Sequence, residues 1–405
     1  MKKTCIIVGA GHAAAQLAVS LRQDGWEGRV VLIGDEPHLP YHRPPLSKDY
    51  LAGRKTLEEI HIRPAAMYAK AEVELLPGRR VERIDSAGKC VIIAGGETLS
   101  YDKLALTVGS RVRRVDLPGV DLPGVHYLRT IADADRIRAD IRPGGSAVIV
   151  GGGYIGLETA AVLRKLGMDV TVVEMLDRVM QRVTAPEVSA FFTRVHTEEG
   201  VKIRCGTGVA GFEGAGRVER VLCSGGKALP ANLVIIGVGI VPNVELARES
   251  GLKIDNGIVV DEHACASDPD IVAAGDCTYY YSRLYQRWIR LESVQNATDQ
   301  ARLAAATVCG KAQVYDALPW FWSDQFDLKL QIAGLSQGHD EVVTRGDRNH
   351  GRSFAAFYLR QGTVIAVDAV NKAAEFMAGK KLITERKPAD KAKLADSSVP
   401  MRELA

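Results

Sequence analysis

Residues 4–14 read Thr4-Cys5-Ile6-Ile7-Val8-Gly9-Ala10-Gly11-His12-Ala13-Ala14, and the stretch 146–156 repeats this design about 140 residues later. In both stretches an apolar run leads into a glycine-rich turn and then into a helical pattern. A second apolar run follows each helical pattern and ends on acidic residues, Asp35 and Glu36 in the first copy and Glu174 in the second. The pattern predicts two complete strand–helix–strand units.

Such a turn suits a dinucleotide, because one glycine makes the turn, the next lets the backbone approach a pyrophosphate and the third lets helix and strand pack closely. The helix N-terminus then offers free N–H groups to the anion, and the acid accepts hydrogen bonds from a ribose. Glycine turns also occur as plain turns, but two copies in full context favour two dinucleotide sites. Ala14 replaces the third glycine of the first copy, and the fingerprint tolerates one methyl group there. The first site comprises Gly9, Gly11, His12, Ala13, Ala14 and Asp35 or Glu36, and the second Gly151, Gly153, Tyr154, Ile155, Gly156 and Glu174.

Composition describes an ordinary globular chain of two or three domains. It has 405 residues, 46% hydrophobic and 25% charged, with a net charge of +3 that argues neither for nor against nucleic acid or an acidic partner. The seven cysteines contain no Cys-x-x-Cys pair, so we expect reduced thiols, no disulfide framework and no metal site. The start of the chain reads as a first strand rather than a leader, and prolines interrupt the uncharged run 228–244. We expect a cytoplasmic protein that binds neither membrane nor nucleic acid.

Turn signals and a change in the strand–helix pattern divide the chain into domains. A doubled Leu-Pro-Gly turn at 117–124 marks a boundary, and after about Val314 alternating strands replace the strand–helix pattern. We predict an α/β protein with one dinucleotide domain at 1–113 and 240–314, a second at 114–239, and an α+β domain at 315–405. The polar tail from Arg386 is expected to be loosely packed.

With these residues established, the chain resembles the FAD-dependent pyridine nucleotide reductases, and among them the ferredoxin reductases of oxygenase electron-transfer chains. The resemblance implies a glutathione-reductase-like fold with FAD in the first domain and NADH in the second. It rests on residues 40–48, 151–158, 237–243, 274–277, 291–294 and 319–325.

Disulfide reductases of this fold carry a Cys-x4-Cys pair after the first unit, whereas residues 37–60 contain no cysteine. The resemblance therefore implies that electrons leave the flavin directly for a [2Fe-2S] ferredoxin, which feeds a cytochrome P450 or a Rieske-type oxygenase. A rubredoxin reductase, an NADH oxidase or peroxide reductase, and an interaction protein similar to apoptosis-inducing factor are the alternatives, although the peroxidase version needs a thiol near position 42. Monomer and homodimer both stay open.

The resemblance also implies roles for charged residues. Lys48 would lie beside the flavin ring and stabilise negative charge on it, although lysines are usually solvated surface groups. Glu158 would lie near the nicotinamide and can pair with Lys48; the alternative is a first-turn glutamate that favours the helix dipole. Glu174 would favour NADH over NADPH by repelling a 2′-phosphate, an argument that the nearby Arg178 and Arg182 soften.

Further positions follow from the same resemblance. Trp320 would contact the flavin where electrons leave, with Trp322 a weaker candidate, although aromatic runs more often belong to a core. Arg63 and Arg302 would attract an acidic ferredoxin, unless they are ordinary surface arginines. The family's Ala-Thr-Gly is replaced by Thr107-Val108-Gly109, which puts a hydrogen bond near the flavin in doubt. The remaining FAD positions are Arg43, Val81, Arg129, Gly275, Asp276, Ser293 and Val294, and the remaining NAD positions are Arg182 and Gly239.

Overall fold

The computed structural model describes residues 3–404. Residue contacts divide the chain into two compact units. Unit 1 contains the chain up to residue 42 with 56–111 and 240–317, and unit 2 contains 43–55, 112–239 and the chain from 318.

The strands follow the alternation seen in the sequence. The first eight are β1 (Thr4–Val8), β2 (Arg29–Ile33), β3 (Val73–Leu76), β4 (Val81–Asp85), β5 (Cys90–Ile93), β6 (Thr98–Ser100), β7 (Lys103–Leu106) and β8 (Ser110–Val112). The next eight are β9 (Val125–Tyr127), β10 (Ser146–Val150), β11 (Asp169–Val173), β12 (Lys202–Arg204), β13 (Val209–Glu213), β14 (Arg220–Cys223), β15 (Ala228–Pro230) and β16 (Leu233–Ile236). The last are β17 (Ile240–Pro242), β18 (Ile258–Val259), β19 (Ile271–Ala273), β20 (Thr278–Ser282), β21 (Arg287–Ile289), β22 (Trp320–Gln325), β23 (Leu328–Gly334), β24 (Glu341–Arg345), β25 (Phe354–Arg360) and β26 (Thr363–Val370).

Helices connect these strands. They are α1 (His12–Asp24), α2 (Ala65–Lys70), α3 (Ile131–Asp140), α4 (Tyr154–Lys165), α5 (Pro186–Glu198), α6 (Glu245–Glu249), α7 (Val294–Val308), α8 (Ala373–Glu385) and α9 (Lys391–Ala395). Short 3-10 turns span Pro44–Ser47, Glu58–Ile60 and Met401–Glu403. Within the described residues, no helix combines the length and the apolar character needed to cross a membrane.

Unit 1 is built on a parallel sheet in the order β19-β7-β1-β2-β3. Helix α1 connects β1 to β2, and its buried side includes Ala14, Leu17 and Leu21. The helix ends after Asp24 because Gly25 adopts a left-handed conformation, with φ of 98°. The small sheets β4-β5-β6 and β18-β20-β21 also belong to this unit.

Unit 2 combines a second parallel sheet, ordered β12-β11-β10-β16-β9, with an antiparallel sheet ordered β22-β23-β26-β25-β24. Both sheets contribute to one hydrophobic core. In that core the rings of Phe191 on α5 and Phe354 on β25 lie 4.7 Å apart. The predicted α/β class with two Rossmann-like units and an antiparallel C-terminal region is confirmed.

The contact division differs from the predicted domains in two respects. Residues 43–55 group with unit 2, and the predicted second and third domains share one core. The three-domain division therefore stays a prediction.

The prediction of a loosely packed tail is wrong. Leu394 on α9 is 1% exposed and Met401 is 8% exposed. The buried Arg345 guanidinium donates to the carbonyl oxygens of Leu394 (3.3 Å), Asp396 and Val399 (2.6 Å). The polar composition of the tail concealed this anchor, because the cation that holds its backbone lies about 50 residues earlier.

Candidate functional site

The first glycine turn is shaped by backbone contacts. Gly9 has a φ of 109°, and a Cβ there would lie 2.3 Å from the Thr107 carbonyl oxygen. Gly11 precedes α1, and a Cβ there would meet no atom within 4 Å. The first turn of α1 has no acidic residue and its N-cap makes no side-chain hydrogen bond, so its N–H groups are available to an anion.

Other first-site residues surround this turn. His12 Nε2 lies 3.2 Å from Nδ1 of His42. Ala14 is completely buried, so its methyl group is accommodated where the fingerprint has glycine. Glu36 accepts a 2.6 Å hydrogen bond from the Tyr41 hydroxyl, whereas Asp35 is exposed.

The second turn repeats the first. Gly151 has a φ of 113°, and a Cβ on Gly156 would lie 2.1 Å from the Gly151 carbonyl oxygen. A Cβ on Gly153, which precedes α4, would meet nothing within 4 Å. Ile155 is 46% exposed, and the Tyr154 ring packs 4.9 Å from Phe321. Burial, aided by Asp368, raises the pKa of Tyr154 well above its usual value.

The acid of the second unit lies beside its turn. Glu174 accepts hydrogen bonds from the backbone N–H groups of Gly152 (2.7 Å) and Leu176 (2.9 Å). Arg178 donates to the Thr184 and Gln181 carbonyl oxygens, so its guanidinium is held by hydrogen bonds to the following loop. Arg182 is exposed.

The string Ala274-Gly275-Asp276 reaches the first turn. A Cβ on Gly275 would lie 3.5 Å from Cβ of Ala13, and Asp276 accepts a 2.8 Å hydrogen bond from Ser110. Gln300, 1% exposed, accepts from the Gly275 N–H, and Ser293 caps α7, the helix that Val294 begins. Sequence reasoning missed Ser110 and Gln300, since neither belongs to a recognisable motif.

Lys48 and Glu158 form an ion pair in unit 2. Lys48 Nζ lies 2.6 Å from Glu158 Oε2, and their side chains are 15% and 1% exposed. Ser47 Oγ donates to the same oxygen and Ser323 Oγ to Oε1, both at 2.6 Å. The alternative interpretation of Glu158 as a first-turn glutamate is wrong, because the first turn of α4 contains no acidic residue. Both serines lie within strings on which the resemblance rests, residues 40–48 and 319–325, but the sequence analysis gave neither of them a role.

Other predicted FAD positions make contacts of their own. Arg43 Nη1 donates to the Arg129 carbonyl oxygen at 2.7 Å, and Val81, 5% exposed, begins β4. Trp320 stacks near Trp322 and Phe376. Because side chains alternate along a strand, Trp320 stands on the face of β22 opposite Ser323 and Glu158. Its flavin contact stays a prediction.

The remaining predicted positions have separate environments. Gly239 has a φ of 106° and open space at its Cβ. The Thr107 hydroxyl, one residue before the position of the family threonine, donates to the Val8 carbonyl oxygen of strand β1 at 2.9 Å. Arg63 donates to the Ala15 carbonyl oxygen and to Gln16, whereas Arg302 is exposed and pairs with Asp299. Of the two predicted partner-binding arginines, only Arg302 projects as an ordinary surface cation.

Known proteins resemble this chain over its whole length. Putidaredoxin reductase CamA of Pseudomonas putida is 46% identical over 98% of this chain and 96% of that protein. The ferredoxin–NAD(+) reductase component of the biphenyl dioxygenase system of Paraburkholderia xenovorans is 36% identical, with 100% and 98% covered. The reductase in the crystal structure of the covalent putidaredoxin reductase–putidaredoxin complex superposes with a TM-score of 0.96 at 46% identity, covering 99% and 97% of the two chains.

Family assignments agree with these relatives. Residues 320–405 match the reductase C-terminal family. Residues 3–301 match the pyridine nucleotide-disulphide oxidoreductase family, to which this chain therefore belongs.

Proposed function

We propose that this protein is an NADH-dependent flavoprotein reductase that passes electrons through FAD to a [2Fe-2S] ferredoxin, which supplies a cytochrome P450 or a Rieske-type oxygenase. The observation that carries the proposal is the presence of two open glycine turns in one chain, one in each unit. The names of its relatives, which are reductases of ferredoxins in oxygenase systems, support the choice of partner. We place the activity in the cytoplasm, where the seven free cysteines would stay reduced.

The residues of unit 1 fit FAD. A pyrophosphate needs unobstructed N–H groups, and the open space at Gly11 before an uncapped helix provides them. Gly275 lies against the same turn, the neighbouring Asp276 accepts from Ser110, and Asp35 or Glu36 would bind the ribose. When bound, FAD would supply the conversion of a hydride into single electrons.

The residues of unit 2 fit NADH. The turn at Gly151 and Gly153 would receive the pyrophosphate, and the Glu174 carboxylate would accept from the ribose 2′-hydroxyl. Glu174 already accepts two backbone hydrogen bonds, so it is held at the edge of this turn. A 2′-phosphate would meet this negative charge, which is why we propose NADH over NADPH.

The Lys48–Glu158 pair would act on the reacting rings. Lys48 supplies a cation whose position is set by a buried carboxylate, and a preorganised charge stabilises developing negative charge without reorganising during the reaction. No cysteine occurs within residues 37–60, so the chain offers no thiol there to accept the electrons. A separate acceptor protein therefore fits better than a disulfide.

The proposal is tested by NADH-dependent cytochrome c reduction with the FAD-reconstituted protein, with and without a [2Fe-2S] ferredoxin, and with NADPH at equal concentration. Large, saturable stimulation by ferredoxin with NADH is expected. Flavin bleaching by NADH without stimulation by several ferredoxins would contradict the ferredoxin assignment and favour an oxidase, a rubredoxin reductase or a partner-binding flavoprotein.

A further inference from the structure

A buried chain of hydrogen bonds connects Glu158 to the C-terminal strand β22 and beyond. Ser323 Oγ lies 2.6 Å from Glu158 Oε1, and Gln325 Nε2 lies 3.1 Å from Ser323 Oγ. His196 Nε2 lies 2.8 Å from Gln325 Oε1. These four side chains belong to residues that are 0–1% exposed. Because bulk water does not reach them, each polar group depends on its protein partner.

The chemistry of the groups sets the direction of this chain. An ionised carboxylate only accepts hydrogen bonds, so the Ser323 hydroxyl donates to Glu158 and its oxygen accepts from the Gln325 amide. The Gln325 carbonyl oxygen then accepts from His196, whose proton must sit on Nε2. Every donor in the chain therefore points towards Glu158.

His196 is the last member of the hydrogen-bond chain, and its ring is neutral. Burial lowers the pKa of His196 to about 4, although Gln325 and the nearby Glu199 act in the opposite direction. Its Nδ1 is buried and has no hydrogen-bond partner among the described residues, as expected for the nitrogen that carries the lone pair. The ring can thus donate at Nε2 without bringing a second charge near Glu158.

The hydrogen-bond chain acts on Lys48 through the second carboxylate oxygen of Glu158. The oxygen of Glu158 that does not contact Ser323 pairs with Lys48 Nζ and accepts from Ser47. Rotation of the carboxylate would break the Ser323 contact, so the serine fixes the oxygen that faces Lys48.

We propose that Ser323, supported by Gln325 and His196, is a positioning residue that keeps the Glu158 carboxylate oriented and so holds the Lys48 ammonium in place for hydride transfer, an inference that rests on the proposed function. The C-terminal strand thereby contributes to the reaction through Glu158.

The kinetic test is anaerobic stopped-flow reduction of the FAD-loaded protein by NADH. Ser323→Ala should slow flavin reduction about tenfold, in line with a lost hydrogen bond to a charged group. Ser323→Thr, which keeps the hydroxyl, should restore most of the rate, and Ser20→Ala, another buried serine, should leave it unchanged.

The second test uses nitrogen-15 NMR of the histidine-labelled, FAD-loaded protein, with the His196 signals assigned from their loss in His196→Gln. We expect a neutral ring protonated on Nε2 from pH 5.5 to 8.5. A neutral ring protonated on Nδ1 would overturn the direction of the hydrogen-bond chain, and a ring that titrates near pH 6.5 would overturn the neutral state of its last member.

The two tests separate this inference from the proposed function. If NADH does not reduce the wild-type flavin, the proposed function fails and the His196 tautomer decides the hydrogen-bond chain. If NADH reduces it but Ser323→Ala matches the wild type in the rate of flavin reduction, the positioning role is rejected while the proposed function stands.

Discussion

At the scale of single residues, the glycines of each turn have different tasks. Gly151 and Gly156 are needed by the fold, because a side chain at either would collide with backbone. Gly11 and Gly153 face open space, so nothing in the described protein requires them to lack a side chain. Under the proposed function, a pyrophosphate that approaches the backbone closely would require glycine at both positions.

Gly153→Ala should therefore impair NADH binding, whereas Gly156→Ala should impair stability. Gly153→Ala should keep its melting temperature and FAD content but raise KM for NADH about tenfold, because a methyl group would stand where the pyrophosphate approaches. Gly156→Ala should lower the melting temperature, since its Cβ would lie 2.1 Å from the Gly151 carbonyl oxygen. Thermal unfolding and NADH titration distinguish them, and unchanged NADH binding in Gly153→Ala would contradict this placement of the second site.

At the scale of elements, the C-terminal sheet buries charges that the strand pattern alone did not reveal. Arg345 on β24 is 3% exposed and pairs with Glu375 on α8 while it holds the tail. Asp368 on β26 is 1% exposed and accepts a 2.6 Å hydrogen bond from Tyr358. Alternation predicts which positions face inward, but it does not predict that an ionisable residue occupies one.

Arg345→Met should release the tail. Removing one partner of a buried pair costs about 3 kcal/mol, because the other charge stays buried and the tail carbonyls lose their donor. Hydrogen exchange at residues 391–401 should accelerate strongly. Arg360→Met, an exposed arginine on β25, is the control and should change neither exchange nor stability. Unaltered protection of the tail in Arg345→Met would show that other contacts hold it.

Asp368 should make stability depend on pH. Burial raises the pKa of Asp368 to about 7, against the opposing effect of the Tyr358 hydrogen bond. The folded protein therefore retains a proton that the unfolded chain releases near pH 4, and folding stability falls as the pH rises from about 4 to about 7.

Asp368→Asn should remove this loss of folding stability at higher pH. Its urea midpoint should exceed that of the wild type by more at pH 8 than at pH 5, by a difference of roughly 2 kcal/mol in the free energy of unfolding. Asp324→Asn, an exposed position on β22, should show no such trend. An equal effect of Asp368→Asn at both pH values would mean that Asp368 stays charged in the fold.

At the scale of the whole molecule, the charge is nearly balanced, with a net value of +3. Attraction of an acidic ferredoxin must therefore come from local cations rather than from overall charge. The Arg63 guanidinium donates to the backbone of α1, whereas Arg302 is exposed. Arg302 is therefore the better placed of the two predicted arginines to attract a partner.

Arg302→Glu should lower kcat/KM for ferredoxin several-fold at low ionic strength, and the difference should shrink as salt screens the charge. NADH-dependent ferricyanide reduction should not change. Arg136→Glu is a matched control, because Arg136 is similarly exposed and also pairs with an aspartate three residues earlier. Equal losses in the two variants would assign the effect to total charge instead of to a docking surface.

The sequence by itself determined the two strand–turn–helix units and the family, because periodicity and short motifs are local properties. The resemblance implied the ferredoxin partner, and it led to Lys48 and Glu158 as two residues that can pair. The tertiary structure decided what surrounds them: Ser47 and Ser323 reach Glu158 from 111 and 165 residues away, and Arg345 reaches the tail from about 50. Such partners are chosen by the need to satisfy buried charges in a packed core, and no local pattern records which distant segment will meet that need.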